Sequence, residues 1–278
     1  AWQKNGKVVA MTGDGVNDSP SLKSADIGCA MGITGTDVTK NAADMILTDD
    51  NFATIIAAVK EGRGIYNNIK KDVHFLLSSN IGEVIAIFVA SIINAAGFHS
   101  LGIPLMPVHL LWVNLVTDTL PAFALGMEPA ADDIMNEKPR PKDESFFAHG
   151  LGWTIVWQGI MIGTLTLLSY IYGNNINHEI GMSMASMTLA TSQLFHAFNI
   201  KSSKSIFHRT IFNNKYLWYA LFAGLILQFG AMYIPGINDV FSLVPLDMTC
   251  LGVSVALAIC PIAIVEIVKI FKNVLFKK

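Results

Sequence analysis

Apolar positions are unevenly spread along this chain. Up to about residue 50 they come in short runs, each cut by Gly or Asp. "KVVAMTGDG" reads as a short strand over residues 8–11 entering a Gly-rich loop. "SPSLKSA" reads as helix, and "ADIGCAMG" and "ADMILTDD" as two further short apolar runs. The result is an alternating β/α pattern with fewer strands than a complete doubly wound domain requires.

Beyond Asp49 the pattern turns helical, with no proline before Pro104 and with Asp50 or Asn51 available as the cap. Gly62 and Gly64 are its weak points, each costing up to about 1 kcal/mol against Ala. A helix over residues 61–97 would be about 55 Å long, whereas a bilayer's hydrocarbon core is about 30 Å thick. The charged first part is therefore expected to project into water as a stalk, with residues 73–97 in lipid. Five more long apolar stretches follow, at about 105–127, 151–172, 182–200, 216–234 and 246–268. Each is near the length of a spanning helix. The stretch 182–200 carries Ser192, Gln193, His196 and Asn199, which suits a helix packed inside a bundle.

Composition supports the membrane reading. Of 278 residues 52% are apolar and only 14% charged, with a mean hydropathy of +0.47; a soluble domain carries roughly 25% charged residues. The net charge of −2 gives no basic excess for nucleic acid. Cys29, Cys250 and Cys260 are too far apart in sequence for a disulfide framework or a zinc cluster. The basic residues orient the spans. Lys60, Arg63, Lys70 and Lys71 precede the first; Lys138, Arg140 and Lys142 follow the second. Lys201, Lys204, Arg209 and Lys215 follow the fourth, and Lys269, Lys272, Lys277 and Lys278 close the chain. The alternate loops, about 98–104, 173–181 and 235–245, have none. The positive-inside pattern thus predicts six spans with both ends of the segment cytoplasmic. The chain starts Ala1-Trp2-Gln3, with neither initiator Met nor signal peptide, and the expectation is the C-terminal piece of a longer protein.

Two groups of residues carry candidate chemistry. In "TGDGVNDSPSLKSADIG", Asp14 and Asp18 lie on a Gly-rich turn directly after a strand. Paired carboxylates there suit a hard, oxygen-preferring Mg²⁺, and Gly13 and Gly15 permit tight backbone near a phosphoryl group. The bland alternative is an ordinary turn. In the first two spans, Asn80 and Glu83 share one helical face, as do Asn114, Thr117 and Asp118. Pro121 can free a carbonyl near Thr117. Carboxylates, amides, a hydroxyl and a carbonyl form a hard oxygen set suited to Ca²⁺, and without thiol or imidazole it does not suit soft metals. The alternative is a polar contact between helices.

"TGDGVNDSPSLKSADIGCAMG" resembles the hinge motif of P-type cation-transporting ATPases, whose phosphorylation domain is haloacid-dehalogenase-like. "EGRGIYNNIKK", "SSNIGEV" and "LLWVNLVTDTLPA" resemble the calcium-pump branch, the sarco/endoplasmic-reticulum-like pumps. The resemblance implies a six-helix membrane bundle (73–278) after a partial α/β phosphorylation-domain segment (1–50) and a stalk helix (51–72). It makes Asp14 a Mg²⁺ ligand, with Thr12, Gly13, Asn17 and Asp18 organising the phosphorylation site, and it matches Asn80, Glu83, Asn114, Thr117 and Asp118 to cation-binding positions. ATP would be bound mainly by parts this chain lacks: the nucleotide-binding and actuator domains, helices one to four and the Asp-Lys-Thr-Gly-Thr segment holding the phosphorylated aspartate. The fragment alone is expected to be inactive. Protons are the expected counter-ion, because an unpaired carboxylate in low dielectric favours its neutral form. Two-site calcium pumps carry a glutamate in their eighth helix where this chain has Gln193, a departure that favours one Ca²⁺ per cycle, as in the plasma-membrane branch. Another cation (Mn²⁺, Na⁺ or H⁺) and a non-enzymatic membrane module are the rival readings.

His74, His109 and His196 have no metal spacing and are expected to pack, as are Met182, Met184 and Met187. The loop 136–144 resembles the family's cytoplasmic coupling loop, and Glu266 is expected near the cytoplasmic interface.

Overall fold

The computed structural model describes residues 2–96, 101–141, 143–202 and 209–275. Of the basic residues in the topology argument, Lys142, Lys204, Lys277 and Lys278 lie outside these, as do the side chains of Arg209 and Lys272 and part of the 98–104 loop. The chain forms two compact units, Ala1–Tyr66 with Ala130–Ala148, and Asn67–Pro129 with His149–Lys278.

The first unit holds a parallel sheet in the order β1-β2-β3, with β1 at Ala10–Gly13, β2 at Ile27–Met31 and β3 at Met45–Leu47. Helix α1 (Ser19–Ser24) lies between β1 and β2, and α2 (Asp37–Ala42) between β2 and β3. Leu22, Cys29, Ala30 and Leu47 form its buried apolar interior, and burial pushes the Cys29 thiol above its ordinary pKa. The first strand begins two residues later than the pattern predicts. Val9 is drawn off by Asp26, whose carboxylate accepts the Val9 N–H at 2.9 Å and whose N–H donates to the Val9 carbonyl at 3.0 Å.

Helix α3 (Phe52–Ala95) runs 44 residues, about 66 Å at 1.5 Å per residue, and neither Gly62 nor Gly64 interrupts it. Of the two candidate caps, Asn51 serves: its Oδ1 accepts the Ala53 N–H at 3.0 Å. Asp50 is in the left-handed region (φ +49°) and its side chain is used elsewhere. Within the same unit, Arg63 donates to the carbonyls of Ile134 (2.8 Å) and Glu137 (3.0 Å). The Arg140 guanidinium lies 4.0 Å above the Tyr66 ring. These contacts fasten the 130–148 segment to α3 at Arg63 and Tyr66.

The second unit is a helical bundle. Residues 107–126 form α4 (Pro107–Trp112), a π-helical turn (Val113–Thr117) and α5 (Thr119–Gly126). Then come α6 (Leu151–Asn174), α7 (His178–Lys201), α8 (Lys215–Tyr233), the short α9 (Ile237–Val240) and α10 (Met248–Leu275). Among the described residues, five helical segments are long and apolar enough to cross a membrane. Helix α7, at 24 residues, is long enough but too polar to qualify, and its position explains why. It packs against α6, α10, α8 and α5, and residues 181–201 are buried except Phe195. A helix surrounded by helices has no need to match lipid. It spends its polarity on neighbours: Thr188 donates to Ser169 on α6 (2.7 Å), and Asn199 to the Pro261 carbonyl on α10 (3.0 Å). Helices α3 and α6 meet at backbone distance through Gly82, Gly159 and Gly163. A Cβ on Gly163 would stand 2.6 Å from the Gly82 carbonyl oxygen, so only glycine allows this approach.

Candidate functional site

The Gly-rich loop of residues 14–18 leaves the C-terminal end of β1. Asp18 Oδ2 accepts the N–H groups of Asp14 (3.1 Å) and Gly15 (3.0 Å), drawing the loop into a closed turn. The Asp18 side chain then lies over Gly13, where an added Cβ would be 2.5 Å from the Asp18 Cβ. Asp14 is clamped by its main chain, its carbonyl accepting from the Thr36 N–H (3.0 Å) and the Thr39 hydroxyl (3.3 Å). Its carboxylate is exposed and makes no hydrogen bond among the described residues. The two aspartates, paired by their place on one turn, thus differ in geometry. Asp18 braces the loop, and Asp14 presents a carboxylate. Thr12 is half-buried in β1, paired in register with Cys29, and Asn17 is exposed.

Asp50 holds the loop after β2. Its carboxylate accepts the Ile33 N–H (2.9 Å), the Thr34 N–H (2.8 Å) and the Thr34 hydroxyl (2.8 Å). The backbone donor of Ile33 leads these bonds in holding its pKa down to about 2. Sequence reasoning saw only a possible cap here.

In the bundle, Glu83 of α3 is buried, and its two oxygens have different partners. Asn114 Nδ2 donates to Oε2 at 2.9 Å, and Gln193 Nε2 of α7 donates to Oε1 at 3.3 Å. Asn114 and Asp118 flank a break in the helical ladder. The Asp118 N–H reaches back five residues to the Val113 carbonyl (2.8 Å), and the Thr119 hydroxyl meets the displaced Asn114 carbonyl at 3.3 Å. Pro121 has no N–H to offer the Thr117 carbonyl one turn on. The opened turn is therefore longer than Pro121 alone predicts, because the ladder shifts at Val113 as well. Asp118 is fully buried, and among the described residues neither carboxylate oxygen has a hydrogen-bond partner. The Gln193 Oε1 is also buried and unpartnered. Thr117 is buried with its hydroxyl donated to the Val113 carbonyl (3.0 Å).

Asn80 stays apart from this group. It is exposed on α3, its amide donating to the Leu76 carbonyl at 2.8 Å. Gln193, which the sequence offered both as a departure and as one of the polar residues suited to a bundle interior, bonds Glu83 inside the cluster. Among the described residues no three His, Cys, Asp or Glu side chains are grouped to hold a metal. The cluster's hard oxygens come from two carboxylates supplemented by amides, a hydroxyl and main-chain carbonyls. The histidines take structural partners: His74 bonds Gln158 (2.6 Å), and His109 links the Met106 N–H (3.2 Å) to the Phe241 carbonyl (2.6 Å). Glu266 pairs with Lys269 at 3.1 Å.

Comparison with known proteins identifies the family. Residues 102–271 match the family described as "Cation transporting ATPase, C-terminus". Calcium-transporting ATPase 1 of Bacillus cereus is 45% identical over 292 residues, covering 98% of this chain and 32% of that protein. A calcium-transporting ATPase of Bacillus subtilis is 47% identical over 244 residues, covering 87% and 27%. The endoplasmic reticulum calcium ATPase srcA of Aspergillus fumigatus is 42% identical over 303 residues, covering 96% and 30%. The chain spans about a third of the length of these relatives. It belongs to the cation-transporting P-type ATPase family, in whose C-terminal membrane region it falls and whose calcium-pump members it matches.

Proposed function

We propose that this chain is the hinge, stalk and last six membrane helices of an ATP-driven Ca²⁺ pump, and that Glu83, Asn114, Thr117 and Asp118 hold the transported ion. One observation carries the reading: Asp118 is fully buried with both oxygens unpartnered, beside an opened helical turn and a second buried carboxylate. A buried charge without a partner is costly, and a divalent cation entering beside it removes that cost while using the neighbouring oxygens. Helix α7 counts as the sixth span on this reading; its length suffices, and its polarity belongs to a bundle interior. Residues 1–50 form part of the phosphorylation domain, 51–72 the stalk and 73–278 the membrane bundle, with both ends cytoplasmic. Asn80, exposed in this chain, would contribute from the side of α3 open to the pump's remaining helices.

The free, exposed carboxylate of Asp14 at a strand's C-terminal end fits a Mg²⁺ ligand, and Asp18 would keep it in place by bracing the loop. Mg²⁺ there would offset charge on a transferring phosphoryl group. ATP and the phosphorylated aspartate belong to the rest of the pump. When the ion leaves, Glu83 and Asp118 take up protons, since neutral carboxyls are the cheaper form in low dielectric.

ATP-dependent uptake into vesicles carrying the intact protein, with Ca²⁺, Mn²⁺, Na⁺ and K⁺ offered singly, tests the assignment. Ca²⁺ should drive uptake. Uptake of another ion with no response to Ca²⁺ would replace the cargo, and no uptake of any would favour a non-enzymatic module.

A further inference from the structure

Glu128 lies just beyond α5, at the end away from Asp118, and ties that end to α7 and α8. Its Oε1 pairs with Lys201 Nζ, the last residue of α7, at 3.3 Å, and its Oε2 accepts from Asn214 Nδ2, at the cap of α8, at 2.8 Å. The ion pair is nearly dry: 11% of the Glu128 side chain and 3% of the Lys201 side chain is exposed. Asn214 is buried as well. It also donates to the Ala124 carbonyl at 2.6 Å, and its Oδ1 accepts the Leu217 N–H at 3.2 Å. From α3, Asn68 Nδ2 donates to the carbonyls of Gly126 (3.1 Å) and Glu128 (2.7 Å). A helix end leaves its last carbonyls without donors of its own. At the end of α5 the donors come from neighbouring helices, so this end is fixed to them.

The other end of α5 is held differently. The helix has eight residues, a length of about 12 Å, and Asp118 is its N-cap. The π-helical turn before it and the donor missing at Pro121 interrupt the ladder that would join it firmly to α4. Its flank is apolar: Ala124 and Leu125 share a buried cluster with Phe75, Leu194 and Leu217. Apolar burial is non-directional, so this packing resists separation more than it resists sliding or rotation. Hydrogen bonds and ion pairs are directional, and the charged ones are the strongest. Among the described residues, the bonds that tie α5 to other helices lie at its Glu128 end.

We propose that Glu128 is a positioning residue for the transported ion: held by Lys201 and Asn214, it fixes α5 along its axis and so sets where Asp118, at the opposite end, presents its carboxylate. The inference rests on the placement of Ca²⁺ at Asp118 given above. Glu128 does not touch the ion. It acts through Asp118, and its influence disappears when the Asp118 charge is removed.

Equilibrium ⁴⁵Ca²⁺ binding to variants of the intact protein, without ATP, tests this role. Glu128→Asp keeps the charge on a side chain too short to hold Lys201 and Asn214 together. Glu128→Met combined with Lys201→Met removes the ion pair without leaving a lone buried charge. Ca²⁺ affinity should fall by about tenfold in the paired variant, the scale of one hydrogen bond to a charged group, and by less in Glu128→Asp. Phosphorylation by inorganic phosphate should match the parent in both. In an Asp118→Asn background the paired change should cost about twofold at most, because the two sites act as one. Unchanged Ca²⁺ affinity in both Glu128 variants would overturn the proposal. So would an equal loss in the Asp118→Asn background, which would make the effect a general weakening of the fold. If the paired variant does not fold, Glu128→Asp with and without Asp118→Asn gives the same decision. Asp118→Asn alone separates the two readings. If it leaves Ca²⁺ binding intact, the ion is not at Asp118 and the transport-site reading fails; if it weakens binding and the Glu128 variants do not, only the positioning role is lost.

Discussion

The side-chain amide of Gln193 donates a hydrogen bond to the Glu83 carboxylate at 3.3 Å, joining α7 to the cluster built by α3 and the π-helical turn. Gln193 thereby holds one Glu83 oxygen while Asn114 holds the other. Gln193→Leu should weaken Ca²⁺ activation of the intact pump by about tenfold at most, the scale of one hydrogen bond to a charged group. Glu83→Gln should cost more, because it removes the charge itself. Ca²⁺ titration of phosphoenzyme formation in both variants checks the order. Equal losses would make Gln193 a ligand rather than a support.

The closed turn after β1 depends on the contact of Asp18 with Gly13. Gly13→Ala places a methyl 2.5 Å from the Asp18 Cβ, and relieving such overpacking costs about 1–3 kcal/mol. The loop should open, moving the Asp14 carboxylate, and phosphorylation should fall while Ca²⁺ binding without ATP persists. A fully active Gly13→Ala variant would show that the brace is dispensable.

Asp50 makes part of the β-sheet unit acid-sensitive. Its folded pKa, about 2, lies below the ordinary carboxylate value because three hydrogen bonds favour the charged form. A depressed folded value means the contribution is fully present above the unfolded pKa, near 3.9. It is lost as pH falls from there through about 2. The protection of the Ile33 and Thr34 amides, measured as exchange relative to the intrinsic rate at each pH, should therefore fall across that window in the unaltered protein. Asp50→Asn should exchange faster at neutral pH and lose the acid step. An unchanged acid step in Asp50→Asn would assign it to another group.

Much of this was legible in the sequence, for identifiable reasons. Apolar length alone located the membrane helices, and α7 stood out as interior because Ser192, Gln193, His196 and Asn199 interrupt its hydropathy. The i, i+3, i+4 spacing put Asn114 and Asp118 on one stretch of helix, and the structure brings Asn114 against Glu83. The spacing did not reveal that Asn80 points away from them, because a face defined by spacing has no knowledge of which neighbour it meets. The π-helical turn was half visible: Pro121 marks a missing donor, whereas the five-residue reach from Asp118 to Val113 leaves no mark in residue types. Nor did pattern separate Asp14 from Asp18, since both are turn aspartates until the hydrogen bonds to Asp18 are seen.

Equilibrium ⁴⁵Ca²⁺ binding to the intact protein, without ATP, tests the assignment of the transport site most directly, with Asp118→Asn measured beside the unaltered chain. Because Asp118 has no hydrogen-bond partner to lose, the variant should fold and melt no lower than the parent, and should still be phosphorylated by inorganic phosphate. The account predicts one Ca²⁺ per phosphorylatable site in the parent and a loss of tenfold or more in affinity in the variant, the effect of about 1.4 kcal/mol or more. Undiminished Ca²⁺ binding by Asp118→Asn would contradict it.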